Sequence, residues 1–210
     1  MKKKILILVL VVSCIFIIYK GFCAYVLIKA SESLEKFRQE ENRTYSVSTF
    51  KDENFMYKSK NYIRDNFIKC ITVKDSDRTF IDCIDKNNEI NYFLDQKNNY
   101  AYVNCSFINS NVNFLDIPKI LKNKSLKNLF GVHYIIPTTY NNKTCYKIVT
   151  KTETVIIDRE TYLPVYCLSK YHNSESGDGT IERTYEFSVG TVTDEDVALP
   201  DLEGYEIIEE

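Results

Sequence analysis

The chain has 210 residues, with 27 Lys and Arg against 29 Asp and Glu, a formal net charge of −2. That balance leaves no electrostatic case for nucleic acid, which needs a clustered basic surface. Seven cysteines without a C-x-x-C pair and two isolated histidines, His133 and His172, exclude a zinc site of ordinary spacing.

Lys2, Lys3 and Lys4 precede an unbroken apolar run of 15 residues, Ile5–Tyr19. A helix needs roughly 20 apolar residues to cross a bilayer. Adding Gly21–Ile28 gives 24 residues from Ile5 with one cation, Lys20. Its stem is expected to snorkel outward while Tyr19 and Tyr25 lie near the headgroups. The predicted layout is a cytoplasmic basic stub over 1–4, a transmembrane signal anchor over 5–28 and an extracytoplasmic domain over 29–210. The chain is thus expected in the cell membrane, single-pass, with its N-terminus cytoplasmic because the lysines precede the span. No small-x-small cleavage site follows the run. A second reading stands beside the anchor: Val11-Val12-Ser13-Cys14 resembles a lipobox, with Cys14 as the candidate lipid-attachment residue.

After the apolar segment, Lys29–Glu41 reads as a helix with Leu27, Ser31, Leu34 and Phe37 on one face. From Thr44 the period becomes two. Tyr45/Val47/Thr49, Ile90/Tyr92/Leu94, Ala101/Val103/Cys105/Phe107, Tyr146/Ile148/Thr150 and Tyr185/Phe187/Val189 each alternate with polar residues, as half-buried antiparallel strands do. Turns at 85–88, 96–99, 141–142, 158–161 and 177–179 divide about eleven strands into one meander. If Ser76-Asp77 is a two-residue hairpin loop, Asp75 faces Arg78 and Cys70 faces Cys83, a candidate disulfide. The alternative is that the cysteines are small buried hydrophobes.

The meander breaks over 113–130. Asp116 is placed as an N-cap with Pro118 in the first turn, then Ile120 and Leu121. A second short helix with Leu126, Leu129 and Phe130 ends at Gly131. Lys119, Lys122, Lys124 and Lys127 then point outward, as a solvated face or as a contact for anionic lipid. The fold class predicted is mainly β with a few helices. A single curved antiparallel sheet, an unclosed half-barrel, is covered by the N-terminal helix and the mid-chain insertion and preceded by one transmembrane helix.

No G-x-S-x-G, H-E-x-x-H, phosphate loop or Cys–His arrangement is present, so no enzyme activity, catalytic residue, metal or cofactor is expected. The run Tyr146-Lys147-Ile148-Val149, then Val155-Ile156-Ile157-Asp158-Arg159-Glu160-Thr161-Tyr162-Leu163-Pro164, Tyr185-Glu186-Phe187, Leu199-Pro200-Asp201 and Tyr205 resembles the LolA/LolB-like lipoprotein-carrier superfamily. Its relatives include RseB-type sensors and the germination lipoproteins of spore-forming clostridia. The resemblance implies a half-barrel that holds a lipid, acyl chain or lipoprotein in an apolar concavity. The alternative it implies is an interaction module for an envelope protein, an anti-sigma factor or a spore-cortex amidase. It transfers no ligand residue to a position of this chain. Asp158 and Pro164 are read as architectural.

Overall fold

The protein is described by a computed structural model over residues 2–74, 78–104, 117–122, 130–173 and 177–209. A single helix, α1 (Lys2–Gln39), runs through both the expected anchor and nearly all of the helix expected over 29–41. It is long and apolar enough to cross a membrane. Its first part is exposed on all sides from Lys4 to Ile18. From Cys23 onward Val26, Ala30, Leu34 and Phe37 are all under 5% exposed. This 3-4-4-3 spacing is the apolar stripe of a helix lying on a core. Leu27 and Ser31, expected on that stripe, are half-buried beside it.

Among the described residues twelve strands come after α1: β1 (Asn42–Lys51), β2 (Asn54–Arg64), β3 (Phe67–Lys74), β4 (Arg78–Asp85), β5 (Ile90–Asp95), β6 (Tyr100–Val103), β7 (Val132–Tyr140), β8 (Lys143–Thr150), β9 (Glu153–Asp158), β10 (Pro164–Asn173), β11 (Gly177–Val189) and β12 (Glu206–Glu209). They form one unclosed sheet in the order β12-β6-β5-β4-β3-β2-β1-β11-β10-β9-β8-β7. The sheet is mixed where a wholly antiparallel one was expected, because β12 pairs in parallel with β6, Ile207 opposite Ala101. Glu-Ile-Ile-Glu has no two-residue alternation, so that strand left no signal in the sequence.

The chain packs into two compact units, residues 1–35 with 117–164 and residues 36–116 with 165–210. In the first, Ile135, Ile148, Val155 and Ile157 are at most 1% exposed and make the sheet's core. A short helix, α2 (Lys119–Lys122), buries Ile120 and Leu121 and leaves Lys119 and Lys122 outward, as expected. The Glu153 carboxylate accepts from the amides of Lys119 and Ile120 at 3.1 and 3.2 Å. The rest of the predicted 115–130 helix pair, including Asp116, Lys124, Leu126, Lys127 and Leu129, lies outside the described residues.

In the second unit β1 joins β11 along nine residue pairs, so strands far apart in sequence meet at Tyr45 and Phe187. The expected Cys70–Cys83 pairing is corrected by the β3–β4 register. Lys74, not Asp75, faces Arg78, so Cys70 stands opposite Asp82 and Cys83 opposite Lys69. Lengthening the loop by one residue sends the two thiols to opposite faces of the sheet. Both are free and buried.

Candidate functional site

The register of the second unit assembles one face residue by residue. Directly opposed positions share a face, so the pairings place Phe187, Tyr45, Asn61, Cys70, Asp82, Phe93 and Tyr102 in one row across seven strands. The neighbouring row on the same face is Tyr185, Val47, Ser59, Thr72, Phe80, Asp95 and Tyr100. Both rows are aromatic at their ends and polar in the middle. At one end Phe37 of α1 stands edge-on to Phe187, ring centroids 4.9 Å apart, and to Tyr45 at 6.3 Å. At the other, Phe80 stacks on Phe93 at 5.5 Å, and Phe93 meets Tyr102 at 5.9 Å.

The middle of this face is chemically the least ordinary part of the sheet. Ser59 Oγ and Cys70 Sγ are 3.2 Å apart, Cys70 Sγ and Thr72 Oγ1 3.6 Å, and the Asn61 amide donates to Ser59 Oγ at 3.3 Å. Burial raises the Cys70 thiol pKa, with the Ser59 and Thr72 hydroxyls acting the other way. Asp82 is 8% exposed, and its Oδ1 has no hydrogen-bond partner among the described residues. Burial alone pushes its carboxyl up to about 6. Thr49 Oγ1 and Asn91 Oδ1 are likewise buried without a partner among the described residues. Buried polar atoms are normally paired, so three unpaired acceptors on one face of the sheet stand out among the described residues.

The opposite face of the same strands is closed by the C-terminal segment. Helix α3 (Asp194–Val197) has a capping box between Thr193 and Asp196. Asp194 pairs with Arg64 at 3.2 Å, and Lys69 Nζ donates to the Ala198 carbonyl at 3.2 Å. The acidic stretch Asp194–Asp196 is therefore fastened to β2 and β3. Cys83 lies on this side at 1% exposure, its thiol pushed up to about 12 by burial.

In the first unit, α1 lies against β7–β9 and meets the free edge of the sheet. The Tyr19 hydroxyl accepts from the Ile135 amide at 2.7 Å and donates to the Ile135 carbonyl at 3.2 Å. Lys20 Nζ donates to the Val132 carbonyl at 3.2 Å, where a snorkelling lysine was expected. Phe22 stands edge-on to Tyr146 at 5.6 Å and Tyr25 to Tyr162 at 6.4 Å. Asp158 Oδ1 accepts from the Glu160 and Thr161 amides at 2.8 and 3.0 Å, the architectural role expected of it. Cys14 is exposed on the free part of α1. His172 Nδ1 lies 2.5 Å from Asp178 Oδ1 at the surface.

Cavities of about 220 and 250 Å³ are lined respectively by Lys119, Gly131, Thr150, Lys151 and Glu153, and by Ile84, Asp85, Lys86, Glu89 and Asn91. Both are smaller than the roughly 300–1,000 Å³ of usual small-molecule sites. Sequence reasoning named no ligand residue and missed Asp82, whose signal would have been an acid at an inward position of a strand.

No family model matches the chain. No curated protein matches it either. Among solved structures it is similar to a domain described as an outer membrane lipoprotein-sorting protein from Vibrio parahaemolyticus, at 10% identity over 81% of this chain and 97% of that one, TM-score 0.33. It is similar also to MucB in complex with MucA, at 11% identity over 80% of this chain and 59% of that one, TM-score 0.40. A DUF1329 family protein from Desulfovibrio piger shares 7% identity over 84% of this chain and 95% of that one, TM-score 0.31.

Proposed function

We propose that this protein is a membrane-attached extracytoplasmic interaction module, which holds a segment of a protein partner against the polar middle of the Tyr45–Tyr102 face and performs no chemistry of its own. The observation that carries this reading is the lining of that face. Asp82 Oδ1, Asn91 Oδ1 and Thr49 Oγ1 are buried acceptors without partners among the described residues, which a docking segment reaches as the face opens. Amide or ammonium donors of a polypeptide satisfy such atoms, whereas an acyl chain leaves them stranded. The acyl-carrier alternative asks for an open apolar cavity. The aromatic end nearest α1 is instead occupied by Phe37.

Attachment runs through the exposed apolar part of α1, with Lys2–Lys4 on the cytoplasmic side and the sheet outside. The uncleaved 5–28 anchor is the first form of this reading. Lipidation at Cys14 is the second, and one observation favours it: Tyr19, Lys20, Phe22 and Tyr25 are engaged by β7, β8 and the turn after β9. Only Ile5–Ile18 is then left for lipid, about 21 Å of helix. Intact-mass measurement of the membrane-purified chain separates the two forms, since the second begins at a diacylated Cys14.

Native mass spectrometry of the full chain purified from its membranes tests the function. A co-purifying protein is expected with the unaltered chain and lost with Asp82→Lys, in a variant that keeps its β-sheet circular dichroism. A lipid adduct without any protein would overturn the interaction reading in favour of the acyl carrier.

A further inference from the structure

We propose that the β7 edge of the first unit, with Phe130, Tyr134 and Ile136, rests on the bilayer that holds α1, and that Lys119, Lys122 and Lys151 bind its anionic headgroups. This rests on the membrane attachment proposed above and adds to it a lipid-contacting surface on the folded domain.

Three observations converge on that edge. The first is where the helix leaves the domain. Tyr19 and Lys20 are bonded to the β7 backbone at Ile135 and Val132, and every residue from Lys4 to Ile18 is exposed. The 14 residues Ile5–Ile18 span about 21 Å, against a hydrocarbon core of about 30 Å. A span that short draws the adjoining structure into the interface, or thins the bilayer around it. The β7 edge adjoins it through Tyr19 and Lys20.

The second is what β7 and the residue two positions before it expose. Phe130 is 80% exposed, Tyr134 40% and Ile136 44%, three large apolar side chains within seven residues of sequence. Aromatic side chains flanked by cations are the side chains that settle at the headgroup level.

The third is charge. The first unit carries thirteen Lys and Arg against five Asp and Glu, and the second fourteen against twenty-four, so the near-neutral chain divides into a basic and an acidic body. Lys119 and Lys151 line the cavity of about 220 Å³ that also borders Gly131, next to Phe130. The acid in that cavity, Glu153, is 7% exposed and its carboxylate is held by two backbone amides. Surface lysines beside a membrane are drawn to anionic lipid within a Debye length.

The absence of tryptophan from the chain gives a clean test. Ile17→Trp and Phe130→Trp variants of the full chain are reconstituted into vesicles of phosphatidylcholine and phosphatidylglycerol with brominated acyl chains, which quench a buried indole. Quenching is expected at both positions. Lys119→Glu with Lys151→Glu, or vesicles of phosphatidylcholine alone, should at least halve it for Phe130→Trp and leave Ile17→Trp unchanged. Quenching of Ile17→Trp without Phe130→Trp would overturn the surface contact while attachment stands. No quenching at either position would overturn the attachment first. Phe130→Trp quenching that ignores both lysines and lipid charge would overturn the anionic recognition.

Discussion

Asp82 carries a measurable pH signature. Its carboxyl rises from 3.8 to about 6 because burial disfavours the charge. The folded state therefore holds the proton more tightly than the unfolded chain, and its contribution to stability is complete below about pH 4 and lost as pH rises through about 6. The linkage amounts to ~3 kcal/mol. Asp82→Asn is expected to raise stability by ~1–2 kcal/mol at pH 7.5 and to leave it unchanged near pH 4, measured by denaturant unfolding at both. An unaltered pH slope in the variant would assign the effect to another group.

Tyr19 acts at the border between residue and element. One hydroxyl satisfies both the amide and the carbonyl of Ile135 on the outer edge of β7. Tyr19→Phe should cost ~1–3 kcal/mol by orphaning those groups. It should also shift the chain toward dimers in light scattering, because an uncapped edge recruits other strands. The hairpins show a recurrent device of the same scale. Asp85 receives the amides of Asn87 and Asn88, Asp95 those of Lys97 and Asn98, and Asp158 those of Glu160 and Thr161. Each turn then closes on a residue at positive φ, Glu89 at 54°, Asn99 at 56° and Tyr162 at 57°. Glu89 is the exposed one with a Cβ poorly suited to that conformation. Glu89→Gly is expected to stabilise by ~0.5–1 kcal/mol in thermal unfolding, whereas Asp158→Ala should destabilise by ~1–2 kcal/mol. Phe37→Ala, which empties the aromatic end of the candidate face, should cost ~3–5 kcal/mol.

At the scale of the whole molecule, Lys2–Lys4 before the apolar helix are expected to retain the N-terminus in the cytoplasm. A reporter that is active only outside the membrane, fused after Glu210, should be active. Replacing the three lysines with glutamates should lower that activity by weakening the orientation signal. Activity confined to the cytoplasm would reverse the topology and remove the extracytoplasmic reading of both units.

The sequence alone determined what local physics writes: an apolar N-terminal helix, a period of two from Thr44, the Asp-led turns at 85, 95 and 158, and the break before β7. These depend on neighbours a few residues apart, so they are visible in the order of side chains. The residues around Asp158 and Leu163-Pro164 also carry the chain's resemblance to the LolA/LolB-like superfamily. Three things were decided only in tertiary structure. The β3–β4 loop length set the register that parted Cys70 from Cys83 and put Asp82 on the candidate face. The parallel docking of β12 on β6 joined Ile207 to Ala101 across more than a hundred residues. The packing of Cys23 and Val26 turned residues that read as membrane span into core. Each is a choice between partners distant in sequence that burial and hydrogen bonding settle together, and Cys and Val suit lipid and a protein interior equally well.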